Sequence, residues 1–246
     1  MNVSGRLRIA MWSGPRNIST AMMRAWGNRD DTVVIDEPFY AHYLAETGID
    51  HPGRDEVLAS QSTDPAQVAA MLTGPIPGGK RIWYQKHMTQ HMLPATPSDW
   101  LAEVTNCFLI RDPERVAASF TIQRPDAEAW ELGFEQQAQL FDQVCDMLGH
   151  APPVIDAADV LKDPRRAMGT LCAVHGVPFT ERMLHWAPGQ RPSDGVWAAH
   201  WYAAVERSSG FSPYRPRQGS LTPFQQTLAD ACRPHYEKLA AFRLGA

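Results

Sequence analysis

Met11-Trp12-Ser13-Gly14-Pro15-Arg16-Asn17-Ile18-Ser19-Thr20 is the stretch on which the fold turns. Upstream of it, Leu7, Ile9 and Met11 alternate, which predicts a short buried strand over Arg8 to Trp12. Ser13 to Asn17 is a cluster of turn formers, and Ile18 to Trp26 reads as a helix that Gly27 and Asn28 close. Asn17 is placed to cap that helix at its start. A strand, a tight turn and a helix in this order put unpaired backbone N–H groups and the positive end of a helix dipole at the turn, a setting that suits an anion. Ser19 and Thr20 add hydroxyl donors, and Arg16 adds a guanidinium that can grip a phosphate with two parallel hydrogen bonds. The nucleotide-triphosphate loop GxxxxGK[ST] is absent and no lysine lies here. A plain helix-capping turn without a ligand is the competing reading.

Outward from this stretch the chain keeps alternating strands with helices. Thr32 to Asp36 is a continuous β-branched run ended by Glu37-Pro38, as expected of a strand covered on both faces. Arg81 to Lys86, Thr105 to Ile110 and Val154 to Asp156 read as further strands. Helices are expected over Glu114 to Gln123, over Gly133 to Leu148 with Phe134, Ala138, Phe141 and Cys145 on one face, around Ala167 to His175, and near the end through Leu228, Cys232 and Leu239. The pattern predicts an α/β three-layer fold, a central parallel sheet flanked by helices and joined by right-handed crossovers, with ligands beyond the carboxyl ends of the strands. We read residues 1–246 as one domain, with 41–79 and 188–219 as cap or loop insertions. The first holds helical pieces broken at Pro52, Gly53 and Pro65, and the second ends in a Ser-, Pro-, Arg- and Gly-rich loop from Ser208 to Gly219.

A second site of interest is Cys107-Phe108-Leu109-Ile110-Arg111-Asp112-Pro113, a buried strand running into a charged turn. Pro113 suits the first position of a helix, and Ser119 follows two turns later. Arg111 and Ser119 together could hold a second phosphate. The alternative is that Arg111 only pairs with Asp112 or Glu114.

The two segments resemble, in order, the signatures of the P-loop sulfotransferases, which use 3′-phosphoadenosine 5′-phosphosulfate (PAPS). Their phosphosulfate loop reads Pro-Lys-Ser-Gly-Thr-Thr. Pro15 and Thr20 match it, Ser19 matches conservatively, Arg16 replaces lysine and Ile18 replaces a small residue. Their 3′-phosphate signature, Arg-Asp-Pro-x-x-x-x-x-Ser, is matched in full from Arg111 through Ser119. Ile155 to Pro164 is similar to the family's Tyr-Glu-Asp-Leu-x-x-Asp-Pro, departing at Asp156 and Ala157, and Gly176-Val177-Pro178-Phe179 closes the helix that follows. The resemblance runs from about residue 7 to residue 184, nearest to a bacterial sulfotransferase-like branch.

The resemblance implies a P-loop-containing fold and sulfuryl transfer from PAPS, with the bisphosphate PAP as product, to a hydroxyl or amine of a small-molecule acceptor. It assigns the nucleotide to Ser13, Gly14, Pro15, Arg16, Asn17, Ile18, Ser19, Thr20, Arg111 and Ser119. For the base that takes the acceptor's proton it offers His87, which is favoured, and Glu37. Lys86 or Arg16 would face the leaving phosphate, and Arg215 and Arg217 would close over the nucleotide. Two other classes stay open: a nucleotide-binding module without transfer activity, motivated by Arg16, Ile18 and the adjacency of Lys86 and His87, and a P-loop kinase-like enzyme using Asp36 as a magnesium-binding acid.

Composition sets the outer limits. The 246 residues are 44% hydrophobic and 20% charged with a net charge of -4, which gives no reason to expect nucleic acid or a membrane as partner. The positive potential an anion needs must therefore be local. Cys107, Cys145, Cys172 and Cys232 show no CxxC or zinc spacing, so free thiols in a reducing cytoplasm are expected. His87 and His91 lie four apart without a third ligand, and no metal is expected. No apolar run approaches a membrane span or leader. The sequence leaves open whether the chain forms a homo-oligomer.

Overall fold

A computed structural model describes residues 5–245 of the chain. The alternating apolar run forms strand β1 (Leu7–Ser13), and the turn after it leads into helix α1 (Ser19–Gly27). Next come β2 (Thr32–Asp36), α2 (Tyr40–Thr47), α3 (Arg54–Ser60), α4 (Pro65–Thr73), β3 (Ile82–Met88) and β4 (Thr105–Ile110). The second half holds α5 (Pro113–Phe120), α6 (Phe134–Leu148), β5 (Val154–Asp156), α7 (Ala157–Lys162) and α8 (Pro164–Val174). Two short helices, α9 (Ala198–Trp201) and α10 (Ala203–Glu206), precede the long α11 (Pro223–Ala240).

All five strands run parallel in the order β2-β3-β1-β4-β5. Strand side chains alternate between faces, and both faces here are buried. Ile9, Met11, Tyr84, Cys107 and Leu109 pack on one side with Met22, Met23 and Trp26 of α1. Ala10, Trp12, Trp83, Phe108 and Ile110 pack on the other with Phe141 and Val144 of α6 and Leu239 of α11. This is the expected three-layer arrangement, with helices on both faces of a parallel sheet. Trp12 is fixed in its layer by donating from Nε1 to Asn106 Oδ1 at 2.9 Å. No described helix is long and apolar enough to cross a membrane.

Local chemistry sets most helix starts. Asp112 caps α5, Asp156 caps α7 and Asp163 caps α8, each accepting from a backbone N–H of the first turn, as short polar side chains do at this position. Asn17 departs from the expectation that it caps α1. The helix starts one residue later with Ile18 at the cap and no side-chain cap bond. Asn17 instead reaches across the sheet, Nδ2 donating to the Leu109 carbonyl at 3.1 Å while Oδ1 accepts from Ile18 N–H at 2.8 Å. The expected helix from Glu114 ends at Phe120 rather than Gln123, where the Thr121 hydroxyl turns back onto the Ala117 carbonyl.

Both insertions pack into the body of the molecule. Tyr43, Leu44 and Val57 join the core on the α1 side, and Val68 and Leu72 join the other. In the late insertion Trp197 and Tyr202 are both buried. That insertion is tied to α1 by a two-pronged ion pair, Arg24 Nη1 to Asp194 Oδ1 at 2.5 Å and Nη2 to Oδ2 at 2.7 Å. Both side chains are almost fully buried. Removing one member of such a pair strands the other charge away from water. Asp194→Ala is therefore expected to cost about 3–5 kcal/mol of stability, read as a lowered midpoint in urea unfolding, with Asp194→Asn intermediate.

Candidate functional site

The turn between β1 and α1 and the start of α5 meet at one place. Arg16 sits in the left-handed region, with φ of 55°, an uncommon conformation outside glycine. From there its Nε donates to Ser119 Oγ at 2.9 Å, and its carbonyl accepts from Arg111 Nη1 at 2.6 Å. The two sequence segments are thus knotted together through two hydrogen bonds among three of their own residues. Gly14 needs to be glycine for a steric reason: a Cβ there would lie 2.9 Å from the Leu132 carbonyl oxygen. Ser13 is fully buried with its hydroxyl turned toward β3, whereas Pro15, Arg16, Asn17 and Ile18 line the half-buried turn and Ser19 and Thr20 open α1.

Charge at this end is one-sided. Asp112 and Glu114, the acids next to Arg111 in sequence, are taken by Arg233 at 3.2 and 3.3 Å, and Glu114 also pairs with Arg217 at 3.2 Å. Among the described residues neither Arg16 nor Arg111 lies within salt-bridge distance of a carboxylate. Burial, then the neighbouring Arg115 and Arg16 guanidinium groups, lowers the pKa of Arg111 from its ordinary value against a weaker opposing pull from Asp156 and Asp112, as expected of crowded cations. Arg115 donates to the Arg215 carbonyl at 2.7 Å and stacks on Tyr214, whose ring also faces Lys162. The loop around Arg215 and Arg217 is thereby pinned beside α5. The uncapped N–H groups of α1 point to the same turn.

Glu37 lies at the carboxyl end of β2, two strands from this turn, and it too adopts positive φ, at 41°. Its backbone N–H extends the ladder to the Lys86 carbonyl at 2.9 Å. Lys86 shares its sheet face with Met11 and its ammonium is held by Asp36 Oδ1 at 2.8 Å, by Tyr202 Oη at 2.7 Å and by the Glu37 carboxylate. Tyr202 Oη in turn donates to Asp36 Oδ2 at 2.7 Å, and Gly195 N–H donates to the same oxygen at 3.2 Å. Burial works against the Lys86 charge, but Asp36 and Glu37 outweigh it and raise its pKa well above the ordinary lysine value. Burial also raises Glu37. Lys86 opposes that shift and Asp36 adds to it, and the net direction is upward.

His87 faces the other way. Its ring stacks on Trp12 at 4.3 Å and lies among Phe39 and Trp100, 1% exposed. Burial, with Lys86 assisting, lowers its pKa to about 3. His91 is sandwiched by Tyr40 and Tyr43, so the two histidines serve separate aromatic clusters. Among the described residues no three His, Cys, Asp or Glu side chains gather as metal ligands.

Reading the sequence missed Tyr202, Asp194 and Arg24, and it gave Asp36 a different task. Arg24 carried a signal: it is the one charge in Ala21-Met22-Met23-Arg24-Ala25-Trp26, an otherwise apolar helix, and a lone buried charge calls for a partner. Tyr202 carried none beyond the aromatic density of its surroundings.

A family model described as a sulfotransferase domain matches residues 7–242. Among curated proteins, branched-chain-amino-acid aminotransferase-like protein 2 of Arabidopsis thaliana is 34% identical over 232 residues, which is 94% of this chain and 41% of that protein. Branched-chain-amino-acid aminotransferase-like protein 1 of the same plant is 38% identical over 205 residues, 83% of this chain and 36% of that protein. The chain thus spans about two-fifths of the length of these relatives. Among solved structures, the sulfotransferase domain from the curacin biosynthetic pathway superposes with a TM-score of 0.56 at 18% identity, covering 93% of this chain and 98% of that one. A sulfotransferase from Alicyclobacillus acidocaldarius gives 0.55 at 13% identity, covering 96% and 95%. At these identities the superpositions speak for the fold, and the family match covers nearly the whole chain: the protein belongs to the sulfotransferase domain family.

Proposed function

We propose that the protein transfers a sulfuryl group from PAPS to a hydroxyl or amine of a small-molecule acceptor, with Glu37 taking the acceptor's proton. The knot of Arg16, Ser119 and Arg111 carries this reading. It joins two cationic side chains without carboxylate partners to the uncapped start of α1, which is the donor set a doubly phosphorylated nucleotide requires. The chemistry PAPS supplies when bound is a sulfur electrophile on a phosphate leaving group. Arg111 and Ser119 would hold the 3′-phosphate, and the α1 N–H groups with Ser19 and Thr20 would hold the 5′ end.

Proton transfer falls to Glu37 rather than His87. His87 is turned to the far face of the sheet and is held neutral among aromatic rings. Glu37 has the more exposed carboxyl of its cluster, 11% against 1% for Asp36 and Lys86, and a pKa shifted toward the range where a carboxylate works as a base. Strands spaced by about 4.8 Å put the ends of β2 and β1 about 10 Å apart across β3, room for an acceptor between base and nucleotide. Lys86 already directs its three N–H groups to Asp36, Glu37 and Tyr202, so the cation facing the leaving phosphate is Arg16. The kinase-like alternative loses its feature, because both Asp36 oxygens accept hydrogen bonds from the protein itself.

Calorimetry with PAP comes first. We expect micromolar binding, weakened about 10–100-fold by Arg111→Ala, and weaker binding of ATP with magnesium. Absent PAP binding, or a preference for ATP with magnesium, overturns the proposal. In turnover with PAPS across an acceptor panel, Glu37→Gln is expected to lower kcat about 100–10,000-fold with PAP affinity unchanged. Because the base must be ionised, kcat rises with pH through the Glu37 pKa, and that rising limb should lie above the ordinary glutamate range. PAP binding with no turnover by the wild type on any acceptor would leave a binding module.

A further inference from the structure

Lys86 and the three groups around it balance donor for acceptor. An ammonium has three N–H donors, and a phenol has one donor and two lone pairs. Lys86 gives its three to Asp36, Glu37 and Tyr202. Tyr202 Oη accepts from Lys86 and from Trp197 Nε1, the latter at 3.2 Å, and donates its single proton to Asp36 Oδ2. Asp36 accepts three hydrogen bonds and the Glu37 carboxyl accepts one, from Lys86. The phenol is therefore the piece that ties the ammonium to Asp36 and keeps it beside Glu37. It reaches the cluster from a segment 116 residues after Lys86, outside every motif of the chain.

We propose that Tyr202 is a positioning residue for Glu37: its hydroxyl locks Lys86 and Asp36 in place, so that Glu37 is the carboxyl left to exchange a proton with the acceptor. The proposal rests on the assignment of Glu37 as the base. The charged and titratable groups facing Glu37 are Asp36 on its own strand, Lys86 on β3, Tyr40 on α2 and Tyr202 itself. A structural role alone would make Tyr202 matter through its ring, which packs in the core and lies 5.1 Å from Lys86 Nζ. A phenylalanine keeps that ring and removes only the hydroxyl, so it separates the two roles.

The test follows the Glu37 carboxyl directly. In protein labelled with 13C at the glutamate carboxyl, the Glu37 signal is assigned by its loss in Glu37→Gln and titrated against pH. Removing a hydrogen bond that favours the ionised cluster raises the proton affinity of the remaining carboxyl. Tyr202→Phe should therefore move the Glu37 midpoint upward by about half to one pH unit, and the rising limb of kcat should follow it. PAP affinity and the KM for PAPS should stay within about twofold, with kcat at the pH optimum lowered about tenfold. An unmoved midpoint in a Tyr202→Phe protein that binds PAP normally overturns the proposal. Should that variant fail to bind PAP, Trp197→Phe decides by the same criterion, since it leaves the phenol in place but removes the donor that polarises it: a smaller upward shift supports the proposal and an unmoved midpoint overturns it. A Glu37→Gln enzyme that keeps its kcat sinks the base assignment, whereas an unmoved Glu37 midpoint sinks the role of Tyr202 alone.

Discussion

A lysine ammonium buried in a parallel sheet constrains most of what surrounds it. An isolated charge out of water is prohibitive, so Lys86 must be met by partners on every N–H. Those partners come from two other parts of the chain: Asp36 and Glu37 where β2 ends, and Tyr202 from the late segment, whose Gly195 also donates to Asp36. The late segment must therefore return over the carboxyl ends of β2 and β3 to complete the core. Once there, it is fastened to α1 through Asp194 and Arg24. Helix α1, which starts at the Arg16 turn, and the carboxylates two strands away are thereby parts of one packed unit rather than independent loops.

The sheet order converts this packing into a polarity. β1 is central, with β4 on one side and β3 then β2 on the other. The cations Arg16 and Arg111 gather at the ends of β1 and β4, while the carboxylates Asp36 and Glu37 gather at the end of β2 with one lysine between them. A chain of net charge -4 thus keeps a positive end and a negative end side by side along one edge. Group transfer from an anionic donor to an acceptor that must lose a proton calls for that arrangement, because the two electrostatic demands are opposite and must not cancel. Arg111 is depressed and Glu37 raised from their ordinary pKa values, burial being the first cause of each shift.

Much of this was legible from the residues, and the rest was hidden for definable reasons. Alternating and continuous apolar runs located all five strands within one or two residues, and strand–turn–helix grammar placed Arg16 and Arg111 at strand ends. The faces of Lys86 and His87 were not legible. Adjacent strand residues point to opposite sides, but in a sheet covered on both faces all seven residues of β3 are buried, so the pattern does not say which side holds the site. Asn17 looked like a cap because its type and spacing suit one, yet the carbonyl of Leu109 on a strand 92 residues away competes for its amide. Tyr202 depends on a contact 166 residues distant in sequence, which no local rule reports. Trp197 and Tyr202 read as loop residues because the helices they flank are only four residues long, too short for periodicity to show.

The replacement of the family's loop lysine by Arg16 fits this economy of donors. An ammonium has three N–H groups and a guanidinium five, in a fixed fork. Arg16 gives Nε to Ser119 and still carries two NH2 groups, which a phosphate can meet in parallel. A lysine at this place would have a single point of charge to divide between Ser119 and the nucleotide. Lys86 offers no relief, because its three donors are committed to Asp36, Glu37 and Tyr202. In the proposed reaction the leaving phosphate then depends on Arg16 alone among the side chains of the β1–α1 turn. Its left-handed backbone aims its carbonyl at Arg111 and its side chain at Ser119. The unusual conformation at residue 16 is thus held by the same two residues that would bind the other phosphate, so in the proposed reaction each phosphate site would help to shape its neighbour.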